Sequence, residues 1–235
     1  MRSVRPRVLC VGVYLADVEN TARHVTDILS RSQNIDVELR WIALTTKNGK
    51  TDVPGTVAVV RERTPKCVLI NRLLENFETY DWVMLFDDDV EMAEGFADAL
   101  IAMADYADFA LLQPARTVDS YIDHPIVAQF PGLLARQTRF VEIGPVVCMR
   151  RDAARLLLPF SEENTMGWGL DLVWPHQIES AGLRMGIIDA VPVAHRIRAP
   201  VTGYNYDAAN AEMQRILATN PHLKAVDAMQ ILQVF

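Results

Sequence analysis

Two continuous apolar runs, Val8 to Tyr14 (VLCVGVY) and Asp81 to Phe86 (DWVMLF, apolar after its first residue), most restrict how this chain can fold. A strand with one face in water alternates apolar and polar residues; these runs do not, so each must be covered on both faces. Between and after them lie segments with helical spacing: Asn20 to Ser30, Cys67 to Phe77 and Gly95 to Ala107. Val37 to Leu44, Val57 to Val60 and Phe109 to Gln113 add further strand candidates. Strands alternating with helices predict an α/β fold, a mostly parallel sheet flanked by helices.

The second half is less regular. Val141 to Met149 (VEIGPVVCM) reads as a strand broken by Gly144 and Pro145, and Asp152 to Leu158 as a short helix. Ser161 to Gly169 reads as a polar loop, Leu172 to Ala181 as a helix despite Pro175, and Met185 to Ile188 as the start of a strand. Ala208 to Ala218 and Ala225 to Leu232 are predicted helices, while Thr117 to Gln137 shows no clean period. No repeat or linker interrupts the 235 residues, so one domain over 1–235 is expected.

Composition removes whole classes of function. A net charge of -7 argues against nucleic acid, which demands a concentrated basic surface. No apolar run approaches the ~20 residues needed to cross a bilayer. The start, MRSVRPRVLCVGVYLADVE, is basic and then apolar, but it soon reaches Asp17 with no small-residue cleavage pattern. It reads as a first strand, with secretion as the less favoured alternative and a cytoplasmic protein as the expectation. Cys10, Cys67 and Cys148 lack metal or redox spacing and are expected to be buried thiols.

Three constellations could carry chemistry. Asp87-Asp88-Asp89 follows the DWVMLF strand directly. In extended chain Asp87 and Asp89 share a face and can converge on one divalent cation, at the sheet edge where α/β proteins bind ligands. A solvated acidic turn is the plainer alternative. In Gly167-Trp168-Gly169-Leu170-Asp171, the glycines allow a tight backbone beside an aromatic wall. Asp171 is there either a helix N-cap or an ionised general base. His195, within VAHRIR, would add to two carboxylates a nitrogen ligand suited to Mn²⁺. Arg196 and Arg198 could grip phosphate oxygens, or simply face solvent. There is no GxGxxG after the first strand, no GxxxxGK[ST] and no GxSxG.

The strand ending in LFDDDVEM resembles the DxD motif of GT-A nucleotide-sugar glycosyltransferases. FVEIGPVVCMRRDAARLLL, MGWGLDLVW and GIIDAVPVAH, with Gln113-Pro114-Ala115, resemble a plant-type family of unknown function that itself looks like a GT-A glycosyltransferase. The likeness spans roughly Leu69 to Gly203, with Met166 standing where the plant pattern has His. It implies a GT-A-like fold and transfer of a sugar from a nucleoside diphosphate sugar to an acceptor hydroxyl, with Mn²⁺ or Mg²⁺ as cofactor. It implies Asp87, Asp89 and His195 at the metal, with Asp87 and Asp88 also on the donor, and Asp171 as the base of an inverting reaction. Val11, Gly12, Val13, Tyr14 and Asp17 would line the nucleotide pocket, with Lys66 and Arg72 as further donor contacts. Trp168 and Gly169 would meet the acceptor, and Arg196 and Arg198 substrate phosphates. The rival expectations are a phosphatase or phosphotransferase with Asp87 as nucleophile, and a non-catalytic sugar-binding module.

Overall fold

Strand β1 (Arg7–Leu15) divides its side chains between two apolar layers, as a strand covered on both faces must. Val8, Cys10 and Tyr14 enter one layer, and Leu9 and Val11 the other. Strand β4 (Trp82–Phe86) does the same, with Trp82, Met84 and Phe86 opposite Val83 and Leu85. Helices α1 (Ala22–Leu29) and α3 (Phe96–Ala107) close the first layer through residues such as Val25, Ile28 and Leu100. Helices α2 (Lys66–Leu73), α4 (Arg151–Leu157) and α5 (Leu170–Ser180) close the second with Leu69, Ile70, Leu157, Val173 and Trp174. The computed structural model describes residues 5–161, 163–199 and 206–235. Glu162 of the polar loop and Gly203, where the family likeness ends, lie outside the described residues.

β1 pairs in parallel with β2 (Asp36–Leu44) on one side and β4 on the other, and β2 pairs in parallel with β3 (Thr56–Val60). The chain thus runs outward through β2 and β3, then crosses back to β4 beyond β1. That reversal is a topological switch point, and the crevice at the carboxyl ends of β1 and β4 is where such sheets accept ligands. The remaining strands are β6 (Leu111–Arg116), β7 (Ala135–Thr138), β8 (Val146–Arg150), β9 (Met185–His195) and β10 (Ile231–Val234). The order is β10-β7-β9-β6-β8-β4-β1-β2-β3. β8 runs antiparallel to both β4 and β6, and β7 is antiparallel to β9 and β10. The α/β class holds; parallel pairing covers β3-β2-β1-β4 and the β6–β9 pair, and the other joins make the sheet mixed.

Several details differ from the sequence reading: the strand expected from Val141 begins only at Val146, and that expected from Phe109 is Leu111–Arg116. Ala225 to Leu232 is not one helix: α7 stops at Ala228, after α6 (Tyr206–Thr219), and Ile231–Val234 is the edge strand β10. Phe235 then packs edge-on against Phe109 at 5.8 Å, which fixes the tail on the sheet. The strand beginning at Met185 continues to His195. There it meets a two-residue strand, β5 (Val90–Glu91), with Val90 opposite His195. Cys10, Cys67 and Cys148 are buried free thiols.

Candidate active site

The three aspartates leave β4 in three directions. Asp87 pairs with Lys66 at the start of α2. Its main-chain N–H donates to Pro145 O at 2.8 Å, because β8 begins beside the end of β4. Gly144 therefore lies against the Asp87 carboxylate: a Cβ there would sit 2.8 Å from Oδ2, so no side chain is tolerated without displacing Asp87. Burial is the largest single effect and would lower the proton affinity of Lys66, but the charge and hydrogen bond of Asp87, with the charges of Cys67 and Asp89, together outweigh it and the net shift is upward.

Asp88 turns inward. Its carboxylate accepts Leu15 N–H at 2.6 Å and pairs with the Arg198 guanidinium, and its own carbonyl accepts Thr21 N–H at 2.6 Å. Asp88 thus ties the ends of β1, β4 and α1 together. A group so fully engaged braces the loop, where its expected contact with the donor would compete with Leu15 N–H and Arg198. Burial pushes its carboxyl above the usual range.

Asp89 meets His195, Oδ1 to Nε2 at 3.2 Å, and Arg198 at 3.1 Å from Oδ2. Burial works against its charge, yet the His195 hydrogen bond and the charges of His195 and Arg198 hold the carboxyl below its ordinary value. The β5–β9 pairing is what brings these two residues together. Ser120 Oγ accepts the His195 N–H at 2.9 Å, while His195 Nδ1 is buried with no hydrogen-bond partner. Two ligands each ~2.1 Å from one ion at a right angle lie ~3 Å apart. The Asp89–His195 pair, a carboxylate oxygen and an imidazole nitrogen, therefore fits a cation such as Mn²⁺. Among the described residues no three acidic, histidine or cysteine side chains converge as a ready-made cage, since Asp87 is turned to Lys66.

The second constellation is built on a loop. Gly167 and Gly169 take φ of +85° and +90°, and Gly169 is the N-cap of α5. A Cβ on Gly169 would approach Met213 at 3.0 Å, so the glycine admits both the left-handed turn and close contact with α6. Glu212, buried on α6, accepts Thr165 N–H at 2.7 Å and Met166 N–H at 3.1 Å. Trp168 stands edge-on to Tyr206 at 5.2 Å. Asp171 falls in the first turn of α5, where main-chain N–H groups of Asp171 and Leu172 lower its proton affinity. Burial is the larger effect and pushes the carboxyl up to about 6.

Other expected residues serve the framework. Val11 and Tyr14 are fully buried, with Tyr14 Oη 3.0 Å from Thr56 Oγ1, and Gly12 lies under the Trp41 ring. Val11 and Tyr14, expected with Gly12 at a nucleotide pocket, have their side chains in the core, while Val13 is half-buried. Asp17 accepts Thr45 Oγ1 at 2.5 Å, Thr46 N–H at 2.6 Å and Gly49 N–H at 3.0 Å, so it staples the turn after β2. Those hydrogen bonds hold its carboxyl far below the usual range. Arg196 pairs with half-buried Glu91 and exposed Asp119 and not with the site, and Arg72 is exposed on the last turn of α2.

No protein-family model matches the chain, and no curated protein matches it. Solved structures do. A mannosyltransferase from Pyrobaculum calidifontis in complex with GDP-Man and Mn²⁺ superposes with a TM-score of 0.58 at 13% identity, over 97% of this chain and 68% of that one. S. aureus TarS 1-349 in complex with UDP-GlcNAc gives 0.57 at 10%, over 94% and 69%. GalNAc-T7 with UDP, GalNAc and Mn²⁺ gives 0.57 at 9%, over 90% and 48%. The chain has the GT-A glycosyltransferase fold and spans roughly half to two-thirds of these proteins. Among the described residues no helix is long and apolar enough to cross a membrane.

Proposed function

We propose that this chain is a metal-dependent, inverting glycosyltransferase that moves a hexose from a nucleoside diphosphate sugar to an acceptor hydroxyl. The observation that carries it is the meeting of Asp89 and His195 at 3.2 Å, on the switch-point edge of the sheet. Three proteins sharing the fold were solved with Mn²⁺, a nucleotide sugar or both. The GWGLD and IIDAVPVAH blocks support the further likeness to the plant-type family.

Asp89 and His195 would hold Mn²⁺ or Mg²⁺, with Asp87 alongside. When bound, such a cation supplies charge neutralisation to a departing diphosphate. Lys66 and Arg198 add positive charge at the same edge, and Arg198 keeps Asp89 oriented. Asp171, in the first turn of α5, accepts the proton of the acceptor hydroxyl as that oxygen attacks the anomeric carbon. One in-line displacement with one base inverts the configuration. Trp168 offers an apolar wall to the acceptor beside it.

The test is calorimetric binding of GDP-mannose and UDP-GlcNAc with and without Mn²⁺, in wild type and Asp89→Ala. Wild type is expected to bind one of them in a Mn²⁺-dependent manner. Asp89→Ala should weaken that binding by ~10²-fold or more, several kcal/mol being the usual worth of such a charge. Donor affinity that is indifferent to Mn²⁺ in both proteins rejects the proposal.

A further inference from the structure

A buried carboxylate outside the residues assigned above lies beside the same crevice, two residues before Gly144, which abuts the Asp87 carboxylate. Glu142 precedes β8 and is 8% exposed. Its main-chain N–H donates to Gln113 Oε1 at 2.5 Å, and Arg116 Nη2 holds its Oε2. Arg116 is itself sealed, at 2% exposed. The same Nη2 donates to Gly144 O at 3.2 Å, Nη1 donates to Tyr121 O at 2.8 Å, and Nε has no partner. The backbone and one oxygen of Glu142 are therefore fixed from β6.

The other oxygen is different. Glu142 Oε1 accepts no hydrogen bond from a described residue, and His124 Nε2, whose proton affinity burial lowers, is 3.9 Å away. Among the described residues, Arg116 Nε and His195 Nδ1 are the buried side-chain atoms sealed without a partner; Oε1 is not one of them, so it is the accessible end of a carboxylate otherwise held in place. Burial, and the negative charges of Asp123, Asp171 and Asp87, push the Glu142 carboxyl up to about 8 against the pull of Arg116.

Position decides what would meet the free oxygen. Gly144, held by the same Arg116, lies against the Asp87 carboxylate, and Asp171 acts on Glu142 from the α5 side. Glu142 thus stands next to the end of the crevice assigned to the donor phosphates. The group nearest to its open oxygen is then the sugar those phosphates carry.

We propose that Glu142 Oε1 receives a hydroxyl of the transferred sugar and so helps to select which sugar is carried. This rests on the glycosyltransferase reading above. A sugar hydroxyl suits the site in either ionisation state, since it can donate to a carboxylate or accept from a carboxylic acid. Sites built to hydrogen-bond a hydroxyl discriminate strongly against analogues that lack it, because the buried partner is then left unmet.

The experiment compares, in Mn²⁺, the affinities of a nucleoside diphosphate and of its hexose conjugates by calorimetry. UDP and GDP are each titrated alone and as a panel of linked hexoses, against wild type, Glu142→Gln and Glu142→Ala. Wild type is expected to bind at least one conjugate more tightly than the bare diphosphate. Glu142→Ala should shrink that advantage ~10-fold, as loss of a single hydrogen bond does, with affinity for the bare diphosphate held within ~2-fold. Glu142→Gln keeps a polar partner for Arg116; it guards against a folding defect in the alanine variant and should lose part of the advantage. An unchanged sugar advantage in both variants, equal loss for diphosphate and conjugate, or no sugar advantage in wild type overturns the role of Glu142. If no nucleotide binds wild type at all, the donor reading falls and takes this role with it.

Discussion

At the scale of single residues, Asp171 carries the sharpest expectation. Its carboxyl, raised by burial to about 6, must be ionised to take a proton. Transfer, measured as kcat/KM against pH, should therefore fall below about pH 6 and level off above it. Asp171→Asn should leave Mn²⁺-dependent donor binding intact, lower kcat ~10²–10⁴-fold and abolish that acidic limb. The same burial has a stability consequence of opposite sign. A carboxyl whose folded value lies above its unfolded one binds its proton more tightly when folded, so the native state loses stability as pH rises from about 4 to about 6. The difference between 3.8 and about 6 corresponds to at most about 3 kcal/mol at neutral pH. Asp171→Asn should thus melt higher than wild type at pH 7.5 and close to it at pH 4. A variant that is inactive and less stable at both pH values would make Asp171 a structural cap.

At the scale of elements, the local segments were legible and their partnerships were not. The runs through Val8 and Trp82 announced buried strands because nothing in them tolerates water. The aspartates after Phe86 pointed to the sheet edge, but their alternation did not give their partners: Asp87 turns to Lys66, while Asp88 and Asp89 share Arg198. What the chain could not display is β5, two residues long, whose pairing with β9 sets His195 beside Asp89. Two residues carry no period. Glu142 and Glu212 were equally silent, since a lone glutamate in VEIGP or AEMQR has no signature until folding buries it. Glu212 makes a testable case. It clamps the Thr165–Met166 main chain to α6, and that main chain leads into the loop bearing Trp168 and Asp171. Glu212→Ala leaves two N–H donors unmet, a cost of ~1–3 kcal/mol each if they stay buried. Because the donor edge lies on other elements, Glu212→Ala should lower kcat and raise the acceptor KM while Mn²⁺-dependent donor affinity is retained. Glu212→Gln, which can still accept these hydrogen bonds, should recover most of the loss. Equal damage to donor and acceptor parameters would mean that α6 merely supports the fold.

At the scale of the whole molecule, the sheet is two halves with different tasks. The parallel half, β3-β2-β1-β4, was readable from its apolar runs and supplies Asp87, Asp88 and Asp89. The mixed half delivers His195 and depends on polar ties that hydropathy cannot reveal. The chief tie is Arg136 on β7 with Asp189 on β9, both side chains fully buried: Nε to Oδ2 at 2.8 Å and Nη2 to Oδ1 at 2.9 Å. Arg136 also donates to Ile126 O and Ala128 O at 2.8 Å, and Asp189 Oδ1 accepts Phe130 N–H at 2.8 Å. Charges so enclosed are tolerable only because almost every donor and acceptor is met. They lock the irregular stretch after β6, the part of the sequence with no period, against the strand that ends in His195. Asp189→Ala leaves a guanidinium buried without its counter-charge and should cost ~3–5 kcal/mol, read as a lower midpoint in urea unfolding. The damage should reach the site through β9: at temperatures where the variant is still folded, Mn²⁺-dependent donor affinity should fall although Asp189 touches none of the residues assigned to the cation. A variant that unfolds early yet binds the donor as wild type does would show that β5 alone suffices to hold His195 to Asp89.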